Sequence, residues 1–138
     1  MPCTVERADV GAVARERRLA IEEAARQVRY AFLARLARAV GGRTVAVAHN
    51  ADDQVETVLM HLLRGAGLAG LRGMRPASNL EELRLADPTL EAGAEPALRL
   101  IRPLLEAPRE AIDAYCRAHG LMPRHDLSNL DQTYYRNR

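Results

Sequence analysis

The sequence predicts an α/β fold built as three layers around a parallel sheet. Three observations carry that expectation. Two short apolar runs, residues 44–48 and 97–101, have the length and composition of buried strands. Longer segments at 21–40, 51–63 and 108–119 carry apolar residues at three- and four-residue steps, the spacing of one buried helix face. Strands that alternate with such helices bury both kinds of face when the strands run parallel under a helical cover. The chain has 138 residues, 48% of them hydrophobic, so it is one domain or part of one and can bury a core. With one Phe, four Tyr and no Trp, that core has to be built from Leu, Val, Ile and Ala.

In chain order, residues 2–5 read as a short strand, Glu6-Arg7-Ala8-Asp9 as a charged turn, and 11–18 as a weak helix. Across 21–40 the expected buried face is Ala24, Val28, Ala31, Phe32, Leu36 and Ala39 or Val40. Gly41-Gly42 is a fitting C-terminal cap. Strand 44–48 is read as the central strand, followed by a tight turn and a helix over 51–63. Arg64 to Met74 is a loop punctuated by glycine. Residues 75–97, rich in Pro, Ala, Glu and Gly, read as a flexible insertion. Strand 97–101 leads through Arg102-Pro103-Leu104-Leu105 to a helix that Pro108 starts at its first turn and Gly120 ends. The remainder is turn-rich and finishes on Tyr134-Tyr135-Arg136-Asn137-Arg138. There is no internal repeat.

A net charge of +2 selects no class of partner. All twenty basic residues are arginine, which suits bidentate contact with phosphate and equally suits a GC-rich coding sequence. The two cysteines, Cys3 and Cys116, make neither a CxxC nor a zinc spacing, as expected of ordinary thiols in a reducing cytoplasm. No apolar run approaches the roughly 20 residues of a membrane span. Met1-Pro2-Cys3-Thr4-Val5 leads directly into charged residues, so the expectation is a cytoplasmic protein with no membrane partner.

The densest chemistry lies in His49-Asn50-Ala51-Asp52-Asp53-Gln54-Val55-Glu56-Thr57, where a strand hands over to a helix. Open α/β sheets place ligands at that end of their strands. On a helix, Glu56 stands one turn from both Asp52 and Asp53. Carboxylates are hard oxygen ligands, and nucleotide-bound Mg²⁺ needs only one or two of them. The same spacing also fits plain capping, with Asn50 as N-cap and acids in the first turn of the helix. The glycines of Arg64-Gly65-Ala66-Gly67 allow close backbone approach to a ligand, and equally mark a helix end; they are not a GxxxxGK[ST] loop. Arg26 and Arg29 lie one turn apart on the first long helix, where solvated surface charge is the ordinary role. The terminal Tyr-Tyr-Arg-Asn-Arg cluster suits RNA stacking and contact, and also a solvated end.

Taken together, Glu22-Glu23-Ala24-Ala25-Arg26-Gln27-Val28-Arg29-Tyr30, His49 through Thr57, Leu63 through Leu71, Ile101-Arg102-Pro103-Leu104-Leu105, and Asp126-Leu127-Ser128-Asn129 with Arg136-Asn137-Arg138 resemble the tRNA(Ile)-lysidine synthetase family of the PP-loop ATP pyrophosphatase superfamily. The resemblance covers the chain apart from the insertion. It implies a Rossmann-like fold of the adenine nucleotide alpha hydrolase type. It also implies a ligase that adenylates the wobble cytidine of tRNA(Ile) bearing a CAU anticodon and joins lysine to it, with ATP and Mg²⁺. Within that resemblance Asp53 is the leading catalytic carboxylate, with Asp52 and Glu56 supporting and Asp53 and Glu56 on Mg²⁺. His49, Arg26 and Arg29 would face ATP, and Arg64, Arg136, Asn137 and Arg138 the tRNA. The superfamily's Ser-Gly-Gly-x-Asp-Ser phosphate loop does not occur in these residues. The expectation is therefore a partial catalytic domain over 1–138, a fragment without the first strands and phosphate loop. It would be inactive alone, with open sheet edges that favour a homodimer. The alternatives are a tRNA thiolation enzyme of the same superfamily or a non-catalytic remnant.

Overall fold

The computed structural model describes residues 2–68, 70–80 and 97–123. Their elements run α1 (Val10–Arg17), α2 (Ile21–Ala39), β1 (Thr44–Ala46), α3 (Ala51–Leu63), a 3-10 turn (Gly70–Arg72), β2 (Ala77–Asn79), β3 (Arg99–Ile101) and α4 (Arg109–Ala118). The chain divides into two compact units. The described residues of Met1–Val47 and Ala77–Ile101 form the first, and those of Ala48–Pro76 and Arg102–Arg138 the second.

In the first unit, Asp9 caps α1 by accepting from the Ala12 amide at 2.9 Å. The helix ends where Arg18 turns into the left-handed region at φ 54°. Arg17 reaches Gln27 at 3.2 Å, joining α1 to α2. α2 begins with Glu22 and Glu23, favourable at the positive end of its dipole. It ends as expected at Gly41, whose φ of +68° suits a residue without Cβ. The Gly41 and Gly42 amides then satisfy the carbonyls of Arg38 and Ala37 at 3.0 and 2.7 Å.

The sheet has the order β1-β3-β2. β1 pairs in parallel with β3, Val45 opposite Leu100, and β2 pairs antiparallel, Ser78 opposite Leu100. The α/β class holds, while the sheet and the amino-terminal residues differ from the expectation. The sheet is only partly parallel. β3, not the run 44–48, is the central strand, because β1 is three residues long and pairs along one side only. β2 arises inside the stretch read as an insertion. Ala77-Ser78-Asn79 has no apolar or β-branched pattern, so its strand conformation comes from the ladder that β3 offers. Residues 81–96 of that stretch lie outside the described residues. Residues 2–5 are exposed and not a strand; Val5 is the only β-branched apolar residue there and buries nothing.

The core of this unit joins Tyr30, Ala34 and Ala37 of α2 to Val45, Leu80, Leu98 and Leu100, with Leu33 and Val47 packed against it. This also corrects the expected helix face. Ala24 and Ala31 are buried as read, but Val28, Phe32 and Leu36 are half-buried, and Ala39 and Val40 are exposed. The row at 30, 34 and 37 meets the sheet, and its small alanines let the helix approach closely. A reading weighted toward large apolar residues passes over such a row.

In the second unit, α3 ends at Arg64, and Gly65 takes φ +72°. The Gly65 and Ala66 amides close back on Leu62 and His61 at 3.0 and 2.9 Å. Arg102 is buried; its amide donates to Pro76 O at 2.8 Å and its Nη1 to Arg75 O at 2.7 Å. Buried Leu105 follows. Pro108 is the N-cap of α4, one position before the helix proper, and Gly120 ends it at φ +63°. No helix among the described residues is long and apolar enough to cross a membrane.

Candidate active site

The segment His49 to Thr57 lies within the second unit, and its side chains are largely engaged in local hydrogen bonds. Asn50 is buried at the N-cap of α3. Its Oδ1 accepts from the Asp53 amide at 3.0 Å, and Asp53 Oδ2 accepts from the Asn50 amide at 3.0 Å. Each thus satisfies a donor that the helix leaves open. Thr57 Oγ1 donates to Asp53 O at 2.8 Å, one turn on. Asp52 is exposed, and its Oδ2 accepts from the Arg109 amide at 2.7 Å. Glu56 and His49 are half-buried.

Gln54 and His61 point elsewhere. Gln54 Nε2 donates to Met74 O at 3.0 Å, and the Met74 amide donates to Gln54 Oε1 at 2.7 Å. His61 Nδ1 lies 2.7 Å from Gly70 O. A carbonyl only accepts, so Nδ1 carries the proton. Both side chains hold the glycine-punctuated loop to α3. The reading from sequence missed them, as it missed buried Arg102. The signal available was polar residues at 54 and 61, two helical turns apart, ahead of glycines at 70 and 73.

Of the residues read from sequence, Asp52, Asp53 and Glu56 share the first two turns of α3, with His49 just ahead. Arg64 caps the other end of that helix, roughly 16 Å from Asp53 along the axis at about 1.5 Å per residue. Arg26 and Arg29 lie on α2 in the first unit. Arg26 is half-buried, with Cζ 5.4 Å from the Tyr30 ring centroid, and Arg29 is exposed. Arg136, Asn137 and Arg138 lie outside the described residues. No group of three His, Cys, Asp or Glu able to hold a metal occurs among the described residues. Asp52, Asp53 and Glu56 are the carboxylates that α3 carries in its first two turns. They do not form an all-protein cage.

Comparison with known proteins assigns the family. The PP-loop domain family matches residues 1–138. The chain belongs to the PP-loop domain family. It is 45% identical over 138 residues to a tRNA(Ile)-lysidine synthase of Dehalococcoides mccartyi, covering 100% of this chain and 27% of that protein. It is 48% identical over 118 residues to one of Symbiobacterium thermophilum, covering 86% and 21%. It is 46% identical over 129 residues to one of Geobacter sulfurreducens, covering 94% and 24%. This PP-loop domain thus spans about a quarter of the length of the curated relatives it matches. The family accounts for the α/β class.

Proposed function

We propose that this PP-loop domain serves an ATP-dependent ligase that forms lysidine on tRNA(Ile). The observation that carries the proposal is 45% identity over 138 residues to a tRNA(Ile)-lysidine synthase. In the reaction, ATP adenylates the O2 atom of the wobble cytidine. The ε-amine of free lysine then attacks carbon 2 and AMP leaves. A cytosine carbonyl is a poor electrophile, so the site has to activate it and offset phosphate charge. Asp53 and Glu56 are the carboxylates we assign to that site, and they would hold Mg²⁺ with the nucleotide. When bound, the ion would neutralise phosphate charge. Capping already places Asp53 on the first turn of α3, and Glu56 follows three residues later.

His49, Arg26 and Arg29 are assigned to ATP, and Arg64, Arg136, Asn137 and Arg138 to tRNA. A cytoplasmic location and a homodimer belong to the same reading. Nothing in the relatives' names supports thiolation, and Cys3 and Cys116 are far apart in sequence and both free. The test is incorporation of labelled lysine into tRNA(Ile) with a CAU anticodon by the protein that carries this segment, with ATP and Mg²⁺. Lysine-independent modification, or none, would remove the assignment.

A further inference from the structure

Two adjacent residues at the start of α3 reach the start of α4. The Ala51 amide donates to Ala107 O at 3.0 Å, and Asp52 Oδ2 accepts from the Arg109 amide at 2.7 Å. Arg109 is the first residue of α4, so its amide has no acceptor within the helix. The residue in the N-cap position is Pro108, whose side chain has no acceptor atom and makes no cap hydrogen bond. Asp52 supplies from another helix the acceptor that α4 lacks locally. Its carboxylate also lies at the positive end of the α4 dipole. The Arg109 guanidinium is turned along α4, with Nε 3.5 Å from Asp113 Oδ1. The contact with Asp52 is therefore to backbone, and what it requires is an acceptor oxygen.

We propose that Asp52 is a positioning residue. It caps α4 from α3 and, with the Ala51–Ala107 bond beside it, holds the N-termini of the two helices in one register. That register orients the first two turns of α3, where Asp53 and Glu56 stand. The activity half of this inference rests on the proposed function; the capping half does not.

The protein carrying this segment is prepared with Asp52→Asn and Asp52→Ala. Asparagine keeps an acceptor oxygen and discards the charge, and alanine discards both. Amide exchange at the start of α4 stays within about threefold of wild type in Asp52→Asn and quickens about tenfold in Asp52→Ala, the scale of one hydrogen bond to a charged group. Lysine transfer falls in the same order, about threefold in Asp52→Asn and about tenfold in Asp52→Ala. Equal exchange in all three proteins overturns the cap. Loss of transfer in Asp52→Asn with α4 still protected overturns the positioning role and makes the charge part of the chemistry. If Asp52→Ala does not fold, Asp52→Leu, similar in shape and without an acceptor, takes its place. If wild type transfers no lysine, the proposed function fails and the exchange measurement still judges the cap.

Discussion

The side-chain amide of Gln54 closes a two-point hydrogen bond on the backbone of Met74, Nε2 to O at 3.0 Å and N–H to Oε1 at 2.7 Å. Seven residues further along α3, His61 holds Gly70 O at 2.7 Å. The loop that follows α3 is thus pinned at both ends of its 3-10 turn by one helix.

Gln54→Ala removes both bonds and leaves a part-buried amide and carbonyl unsatisfied. The expected loss is about 2 kcal/mol, near the upper end for such groups. Gln54→Glu keeps an acceptor for the Met74 amide but sets a carboxylate against the Met74 carbonyl, so it also destabilises. A lower thermal midpoint and faster tryptic cleavage after Arg72 in both variants are the measurements. Unchanged cleavage would show that the loop is held by something else.

Gly73 and Gly65 both have positive φ, at 62° and 72°. They differ in surroundings. A Cβ on Gly73 would sit 2.8 Å from the Gln54 carboxamide, whereas one on Gly65 meets nothing within 4 Å. Gly65→Ala should cost about 1 kcal/mol, the backbone strain alone. Gly73→Ala should cost at least about 1 kcal/mol more, because the clamp has to shift as well. Comparing denaturation midpoints of the two variants checks the difference, and equal costs would mean the Gln54 side chain yields freely.

Helix boundaries were legible because their signals are local. Gly41, Gly65 and Gly120 end α2, α3 and α4 with the positive φ that glycine tolerates. The partners of α2 were not, since the choice of the Tyr30, Ala34 and Ala37 row depends on where the sheet lies. β2 was illegible for the same reason: Ala77-Ser78-Asn79 becomes a strand only against β3. Within the motif, the capping box of Asn50 and Asp53 was readable from spacing. The contact of Asp52 with Arg109 was not, since it spans 57 residues of sequence. Leu100, fully buried at the middle of the sheet, and Val40, 72% exposed, put this to the test. Leu100→Ala should cost about 3 kcal/mol. Val40→Ala should stay within about 0.5 kcal/mol. Similar losses at both would restore the helix face expected from periodicity.

Asp53 has a structural task and a proposed chemical one, and they separate by substitution. Asp53→Asn retains an oxygen to accept from the Asn50 amide, so the cap survives at a cost of about 0.5 kcal/mol. The charge is lost, so lysine transfer should fall at least about a hundredfold if the carboxylate serves the reaction. Asp53→Ala should lose the activity and about 1 kcal/mol of stability together. Thermal midpoints and transfer rates on the same preparations give both readings. Full activity in Asp53→Asn would leave Asp53 as a cap only.

A polypeptide of residues 1–138 alone should not transfer lysine. The resemblance implies that backbone amides of a Ser-Gly-Gly-x-Asp-Ser loop cradle ATP pyrophosphate, and these residues contain no such stretch. Neither described strand-to-helix connection carries a glycine that could replace it. β1 passes into α3 through Val47-Ala48-His49-Asn50, with no glycine. β3 passes into α4 through residues 102–108, also without one. The glycine-punctuated loop follows a helix, not a strand, and four of its amides are already committed. Gly65 bonds Leu62 O, Ala66 bonds His61 O, Gly70 bonds Gly67 O and Gly73 bonds Gly70 O, at 2.8 to 3.3 Å. Freeing them for a phosphate would dismantle the end of α3 and the 3-10 turn. Labelled lysine should therefore stay at the no-enzyme level when this polypeptide is incubated with ATP, Mg²⁺ and tRNA(Ile). A full-length tRNA(Ile)-lysidine synthase of the kind this chain resembles should incorporate it under the same conditions. Incorporation by residues 1–138 alone would mean that ATP is held through side chains, with Arg26, Arg29 and Arg64 the first to replace.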